Sequence, residues 1–394
     1  MSYADKKTVW ILGSGFSRPL GGPLLADLLS MRGMREFDRF QSSSAPKYYL
    51  QNLFEGGLRS PEKLGKPTNH YQLWSDAEEF LDFVDTAAQG ASGLAKLLMN
   101  VVDQTGPRHA GGLPGIRRAA VQSVAGDCSF DQFTDVALEG WEPYRDWAKT
   151  LTEHDSLITF NYDTVVERLG DYLREKGGSI GLSPQSLVVP WDKPDFTSRV
   201  TRLYKLHGSV SWTYNPNEPD EPGYKSVAKW WEEEAPSLPL IGTPGPSKQQ
   251  FKDAHFKQLW DLAMAKIEAA DVIVFVGYRF PPSDSQARKE ILGAIAANDQ
   301  PYLRIHTVLG PNTNGEDPIR LARMLSAVLE TKGRKLAPDD NTYCQKSEWP
   351  ESYRVIRQPL YAQDFFTILS ENFLNGKLVA APATPGVSWP ARGK

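Results

Sequence analysis

A glycine-rich segment near the N-terminus has the composition of a phosphate-binding turn. Residues 8–12 are β-branched, aromatic and aliphatic, which predicts a strand that runs directly into Gly13-Ser-Gly-Phe-Ser17. A helix is predicted to follow at residues 23–31. Glycine lets a backbone approach a pyrophosphate closely, and amides at the start of a helix donate hydrogen bonds to its oxygens. A tight turn without a ligand explains the glycines equally well.

A second candidate segment, Thr159-Phe-Asn161-Tyr-Asp163, follows a predicted strand at residues 156–159. Parallel α/β sheets bind ligands beyond the carboxyl ends of their strands, so polar side chains there are candidates for chemistry. The Asn161 amide suits a ribose hydroxyl or a water, and the Asp163 carboxylate can accept from a carboxamide. Asp163 also stands where a helix N-cap belongs, before a helix predicted at residues 164–175, and for this residue alone that alternative is the better one.

A third segment places His207, followed by Gly208, after a strand predicted at residues 202–206. The chain has only six histidines. An imidazole at a strand end can take a proton from a ribose hydroxyl or from water near neutral pH, provided that it lies in the crevice. The alternative is a histidine with a purely structural role.

The fourth segment, Gly277-Tyr-Arg-Phe-Pro-Pro-Ser-Asp284, follows the most apolar predicted strand of the chain, residues 271–276. Gly277 allows close approach to a ligand, so this loop is predicted to cover the adenosine half of a dinucleotide. A loop that ends in a helix cap at Ser283 or Asp284 is an equally good explanation of the segment taken singly.

The elements around these segments alternate between strand and helix, which predicts an α/β fold with a Rossmann-like parallel sheet flanked by helices. Further strands are predicted at residues 187–190 and 303–309, and a helix at residues 251–268. The helical pattern of residues 76–152 indicates an inserted helical subdomain. Residues 215–249, with Trp230 and Trp231, are rich in Pro, Gly and Glu and are predicted to be a long surface excursion.

Four parts of the chain follow from this pattern. Residues 1–31 and 151–310 are predicted to form the nucleotide-binding domain, and residues 32–150 the inserted helical subdomain. Residues 311–374 would form a C-terminal α/β extension. Residues 375–394 are rich in Pro, Ala and Gly and would form a tail, or an arm that contacts another subunit in a homo-oligomer.

The composition excludes several classes of protein. The 394 residues carry a net charge of -4, which gives no general attraction to nucleic acid. No long apolar run indicates a membrane span, and the N-terminus does not have the pattern of a signal peptide, so a cytoplasmic protein is expected. The two cysteines, Cys128 and Cys344, are too few for a disulfide framework or a structural zinc site.

Taken together, the four segments resemble the sirtuin family in their order and internal spacing. The family's Gly-Ala-Gly-Ile-Ser-x-x-x-Gly-Ile-Pro is similar to residues 13–23 without a gap, and its Thr-Gln-Asn-Ile-Asp to residues 159–163. Its His-Gly resembles residues 207–208, and its late Gly-Thr-Ser-Leu resembles residues 277–280. The resemblance is confined to these four short segments, which lie between residues 13 and 284.

The resemblance implies an NAD-binding Rossmann domain with catalytic Asn161 and His207. Asn161 would hold the ribose and an ordered water, and His207 would act on the ribose hydroxyls. The residues expected to bind NAD are Gly13, Ser14, Gly15, Phe16, Ser17, Phe160, Asp163, Gly277 and Tyr278. No metal is expected.

Departures from the sirtuin pattern indicate which reaction to expect. The family's deacylases carry a four-cysteine zinc ribbon after the His-Gly, whereas this chain continues Ser-Val-Ser-Trp212, and Phe160 replaces the family's Gln. These losses favour water over an acyl-lysine as the acceptor. The segments at residues 159–163 and 277–284 resemble bacterial sirtuin-like antiphage proteins, members of which deplete NAD when triggered.

Hydrolysis of NAD to ADP-ribose and nicotinamide is therefore the leading hypothesis, as a triggered NAD-depleting effector of antiphage defence. One alternative is an NAD-dependent ADP-ribosyltransferase or deacylase. The other is a non-catalytic subunit that senses NAD or ADP-ribose for a partner ATPase or nuclease.

Overall fold

The computed structural model describes part of the chain, and the fold is given for those residues. The described residues are 6–24, 28, 121–122, 124–129, 138–176, 181–192, 197–215, 218–224, 238–242, 254–281, 284–300, 303–312, 315–331 and 354–369. Most of the helix predicted at residues 23–31, most of residues 32–150, both Trp230 and Trp231, and the tail at residues 375–394 lie outside them.

Within the described ranges, ten strands form two sheets. The strands are β1 (Thr8–Leu12), β2 (Ser156–Thr159), β3 (Leu187–Val188), β4 (Arg202–Lys205), β5 (Gly208–Asn215), β6 (Glu218–Tyr224), β7 (Leu238–Ile241), β8 (Val272–Val276), β9 (Arg304–Val308) and β10 (Arg354–Gln358). Seven of them form a sheet in the order β10-β9-β8-β1-β2-β4-β3, and every pairing in it is parallel. The predicted Rossmann-like parallel sheet is thus confirmed.

Helices cover both faces of this sheet. They are α1 (Ser14–Ser17), α2 (Leu138–Thr150), α3 (Val165–Glu175), α4 (Ala254–Glu268), α5 (Ser285–Ala297), α6 (Glu316–Glu330) and α7 (Ala362–Ile368). Apolar side chains of α4, α5 and α6 pack in one buried cluster, and those of α2, α3 and α7 pack in another. Because both faces are covered, the central strands β1 and β8 are buried along their whole length.

The strand order determines where a ligand can bind. In the sheet, β2 and β4 lie on one side of β1, and β8 and β9 lie on the other side. The strand order thus reverses its direction at β1. At such a point in an open parallel sheet, the loops after neighbouring strands lead to opposite faces of the sheet, and a crevice opens between them beyond the carboxyl ends of the strands. The segments after β1, β2, β4 and β8 are the four that the sequence singles out.

Residues 215–249 differ from the predicted surface excursion. Part of this stretch forms β6 and β7, which pair antiparallel with β5 in a second sheet of order β6-β5-β7. Both prolines of β6 lie on an edge strand, where the missing amide is tolerated. Composition alone suggested a loop because Pro and Gly are rare in central strands but not at edges.

Two segments outside the predicted nucleotide-binding domain pack on or in the parallel sheet. Helix α2 belongs to the predicted helical insertion, yet its Trp147 packs edge-on against Trp10 of β1 at 5.3 Å between ring centroids. Strand β10, in the predicted C-terminal extension, pairs with β9 along its whole length. The domain boundaries remain predictions. None of the helices in the described ranges combines the length and the apolarity needed to cross a bilayer.

A buried carboxylate next to β1 gives stability an unusual pH dependence. The side chain of Asp155 accepts hydrogen bonds from Trp10 Nε1 at 3.1 Å and from the Thr152 backbone amide at 2.8 Å. Burial outweighs these donors and raises the pKa of Asp155 to about 6, from 3.8. The folded protein therefore binds more protons than the unfolded chain between these two pH values.

We expect the Asp155 contribution to stability to be complete below pH 3.8 and to be lost as the pH rises through about 6. As the pH rises from 3.8 to about 6, the free energy of unfolding of the native protein should fall by about 3 kcal/mol relative to that of Asp155→Asn. Urea unfolding at pH 4 to 7 measures it. The control is Asp146→Asn, an exposed aspartate of α2, which should show no comparable trend. A pH-independent difference between Asp155→Asn and the native protein would contradict the shifted pKa.

Candidate functional site

A cleft of about 330 Å³ opens at the carboxyl ends of the strands β1, β2 and β8. This volume lies within the range of small-molecule sites. The residues that line it are Gly13, Ser14, Gly15, Pro23, Leu24, Leu28, Cys128, Phe160, Asn161, Tyr162, Asp163, His207, Gly277, Tyr278, Arg279, Pro281, Asp284, Asp317 and Arg320. All four segments singled out in the sequence contribute to this list.

The loops after β1 and β8 pack backbone against backbone. A Cβ atom on Gly13 would lie 2.6 Å from the Gly277 carbonyl oxygen, and one on Gly15 would lie 2.7 Å from the Gly277 Cα. Gly277 has a φ of +66° and a Cβ there would lie 2.4 Å from Gly15 atoms. These three glycines are needed for the contact between the two loops, whether or not a ligand is bound.

The same contact uses several amides of the glycine loop. The Gly13 amide donates to the Val276 carbonyl, the Gly15 amide to the Gly277 carbonyl and the Phe16 amide to the Gly13 carbonyl. The sequence-based expectation was that amides near this turn would hold a pyrophosphate. These three amides already have protein acceptors, so they are not available as donors to a ligand.

Asn161 links the loop after β2 to the loop after β1. Its Nδ2 donates to the Gly13 carbonyl at 3.0 Å and to the Ser17 Oγ at 3.0 Å, and its backbone amide donates to Thr159 Oγ1. With both amide hydrogens directed to protein oxygens, the orientation of the side chain is fixed. The Oδ1 atom then presents an acceptor at the cleft.

Asp163 is buried and serves the fold directly. Its Oδ2 accepts from the Ser17 hydroxyl at 2.7 Å, and its Oδ1 accepts from the Val165 amide at 3.1 Å, at the first residue of α3. Burial raises the pKa of the Asp163 carboxyl, although the neighbouring Lys205 ammonium and the Ser17 hydroxyl oppose the shift. The N-cap residue of α3 is Thr164, so Asp163 is not the N-cap that the sequence offered as an alternative. Its carboxylate still holds the start of the helix through the Val165 amide, and Asp163 also lines the cleft.

Lys205 is a buried cation behind this network that the sequence did not reveal. Its Nζ donates to the Asp163 carbonyl and to Glu167 Oε1, the latter at 2.8 Å. The side chain is fully buried, so the ion pair with Glu167 and the carbonyl contact must replace its hydration. Lys205 stabilises the segment that carries Asn161 and Asp163.

His207 lies buried at the cleft. Its backbone carbonyl accepts from the Gly242 amide at 2.7 Å, and the next residue, Gly208, has a φ of +80° and lies tightly against the Leu240 carbonyl. The imidazole Nε2 lies 3.4 Å from Asp284 Oδ2. The antiparallel sheet therefore holds the main chain of His207, and the loop after β8 supplies a carboxylate partner for its ring.

The Asp284 side chain does not cap a helix, which was the alternative that the sequence offered for this residue. It is the N-cap residue of α5, but its side chain makes no cap hydrogen bond. Instead its Oδ2 accepts from the Tyr278 hydroxyl at 2.9 Å as well as lying next to His207. The Tyr278 ring stacks on Phe160 at 4.3 Å, and Phe160 meets the imidazole edge-on at 4.8 Å.

Two arginines lie at the rim of the cleft beside one aspartate. Arg279 Nη1 lies 3.2 Å from Asp317 Oδ2, and Arg320 Nη2 lies 3.2 Å from Asp317 Oδ1. Arg320 also donates to the Arg279 and Phe280 carbonyls, which holds the loop after β8 against α6. Guanidinium groups bind phosphate oxygens well, so the rim offers positive charge that the glycine loop lacks.

Cys128 also lines the cleft and is buried. Burial, with a smaller contribution from the Asp127 carboxylate, raises the pKa of its thiol well above the usual value. A thiol with a raised pKa is a poor nucleophile, so Cys128 is a small apolar part of the wall.

Two of the eleven predicted site residues do not line the cleft. Phe16 packs edge-on against Tyr144 and Trp147 in the core, and the buried Ser17 bridges Asn161 and Asp163 from behind. The other nine line it. The structure adds Asp284, Arg279, Asp317, Arg320 and Cys128, of which only Asp284 and Arg279 belonged to a segment that the sequence singled out.

No protein-family model matches the sequence, and no curated protein matches it. Among solved structures, the chain is similar to a mutant Sir2 homologue in complex with ADP-ribose, at 13% identity and a TM-score of 0.31, over 85% of this chain and 97% of the other. It is also similar to a Sir2 complex with a p53 peptide and NAD+, at 14% identity and a TM-score of 0.30, over 84% and 95% of the two chains. Such TM-scores carry no argument, and the fold of this chain is assigned from its own strand order.

Proposed function

We propose that this chain binds NAD in the cleft and hydrolyses the bond between nicotinamide and ribose. The observation that carries the proposal is the convergence of the four sirtuin-like segments, distant in sequence, on one cleft lined by both Asn161 and His207.

The lining of the cleft suits a dinucleotide in its chemistry. The stacked rings of Phe160 and Tyr278 offer an apolar wall to a planar heterocycle. The rim guanidiniums of Arg279 and Arg320 offer charge to a diphosphate. The Asn161 Oδ1 atom offers an acceptor for a ribose hydroxyl or for a water.

In the proposed reaction the bond between C1′ of the ribose and the nicotinamide nitrogen breaks through an oxocarbenium-like transition state. A water oxygen then bonds to C1′, and its proton leaves, so that the products are ADP-ribose, nicotinamide and a proton. Asn161 orients the water or the ribose, and His207 accepts or directs the proton. The aromatic wall limits access of bulk water to the reacting carbon.

Incubation of the purified chain with NAD, followed by chromatography of nicotinamide and ADP-ribose, tests the proposal. We expect His207→Ala to release nicotinamide at least about 10²-fold more slowly than the native protein, because a positioned acid or base contributes that much. The matched control is His154→Ala: His154 is exposed and precedes β2, at the opposite edge of the sheet from the cleft, and its loss should leave the rate unchanged. Full activity in His207→Ala would overturn the assignment.

The same assay separates the competing functions. Label from adenine-labelled NAD that remains on protein, instead of in free ADP-ribose, would identify a transferase. Thermal stabilisation by NAD with no product at high protein concentration would identify a nucleotide-sensing subunit.

The proposal includes restraint of the activity until a trigger arrives, because unrestrained depletion of NAD is toxic. Self-association or a partner such as an ATPase would provide this restraint. Rates per chain that change with protein concentration, or with removal of residues 375–394, would support self-association. Rates that are constant in both experiments would contradict it.

A further inference from the structure

The buried carboxylate of Asp284 is the group next to His207 that neither sequence motifs nor the proposed reaction assign. It lies 3.4 Å from His207 Nε2 and accepts a hydrogen bond from Tyr278 at 2.9 Å, through the same oxygen, Oδ2. The Asp284 and His207 side chains are 2% and 5% exposed. A carboxylate in such surroundings interacts strongly with an imidazole because water screens the pair poorly.

The main chain of Asp284 is held by hydrogen bonds that do not involve His207. Its amide donates to the Pro281 carbonyl at 3.0 Å, and its carbonyl accepts from the Arg288 amide in the first turn of α5. The Tyr278 ring is held in turn by its stack on Phe160. The main-chain bonds of Asp284 and the Tyr278 hydroxyl therefore orient the carboxylate without help from His207.

We propose that Asp284 is the positioning residue for His207, with Tyr278 orienting the carboxylate. An acceptor at Nε2 stabilises the tautomer that carries its hydrogen on Nε2, which leaves Nδ1 with the lone pair that takes a proton. It also stabilises the imidazolium that forms after proton transfer, while the carboxylate itself stays ionised. This inference rests on the proposed function, since it assigns a partner to its catalytic histidine.

Asp284→Asn keeps the size of the side chain and removes its charge, so it is the decisive substitution. We expect kcat for nicotinamide release to fall about 10- to 100-fold with KM nearly unchanged, because the lost interaction is strongest when the imidazole is charged. Tyr278→Phe removes only the hydroxyl donor and should lower kcat less. Asp171→Asn, an exposed aspartate of α3, is the matched control and should leave both parameters unchanged.

A double-mutant cycle separates positioning from a structural role. In a His207→Ala background, Asp284→Asn should cause no further loss of kcat, since its target is gone. Equal losses in both backgrounds would overturn the inference.

Imidazole ¹⁵N chemical shifts give a readout that needs no substrate. The His207 signals, assigned with His207→Gln, should report Nε2 as the protonated nitrogen in the native protein and should move in Asp284→Asn and in Tyr278→Phe. If Asp284→Asn does not fold, Tyr278→Phe decides alone. Unchanged His207 shifts overturn the inference even if NAD is hydrolysed, whereas absence of NAD hydrolysis with changed shifts overturns the proposed function only.

Discussion

Replacing Asn161 with alanine is expected to lower the rate of nicotinamide release by about 10³-fold, the upper range for loss of one oriented polar group at a reacting centre. The side chain is held by its bonds to Gly13 and Ser17, so its Oδ1 atom meets the substrate without further ordering. Single-turnover measurements of nicotinamide release, with NAD in large excess over its dissociation constant, check this rate.

The control for this substitution is Asn298→Ala. Asn298 is fully buried, whereas Asn161 is half-buried, and the Asn298 Nδ2 likewise donates two hydrogen bonds, to the Ile267 and Ala270 carbonyls, between α4 and the loop after α5. Both variants should lose about 1 to 3 kcal/mol of stability, because each leaves buried acceptors without a donor. Only Asn161→Ala should lose activity when each is assayed well below its melting temperature. Comparable rates in the two variants would refute a chemical role for Asn161.

The strands and the position of the cleft were predictable because both depend on local patterns. The run Val-Ile-Val-Phe-Val at β8 is apolar throughout, as a strand buried on both faces must be. Polar residues directly after such strands then meet at one edge of the sheet. This rule alone placed Asn161 and His207 on a common crevice.

The partners of these residues were not predictable, because they come from contacts between distant segments. Lys205 lies in a strand whose pattern gives no sign of a buried ion pair, and its partner Glu167 is on a helix. Asp284 stands at a helix start, where capping is the usual role, and only the fold brings it next to His207. The assignment of Gly13 and Gly15 to a pyrophosphate stays a prediction, and their packing against the loop after β8 is a second reason for glycine that only the fold shows.

This loop contact makes Gly277 a position where one added methyl group should be strongly destabilising. Gly277→Ala forces a side chain into a left-handed conformation, and its Cβ would lie 2.4 Å from backbone atoms of Gly15 and Phe16, which have no rotamer to yield. The left-handed strain and the overpacking together should cost at least about 3 kcal/mol. The loops must also separate, which displaces Gly13 and with it the Asn161 amide.

We therefore expect Gly277→Ala to lower both the free energy of unfolding in urea and the rate of nicotinamide release. The rate should be lower even when it is expressed per folded molecule. Gly293→Ala is the matched control, because Gly293 lies within α5 and its added Cβ would meet nothing within 4 Å apart from its chain neighbours and the local helix backbone. There alanine should stabilise the protein by about 0.5 to 1 kcal/mol, since it favours the helix. If Gly277→Ala were as stable as the native protein, the two loops would have to be free to move apart. The cleft would then not be held by the backbone contact on which the placement of Asn161 depends.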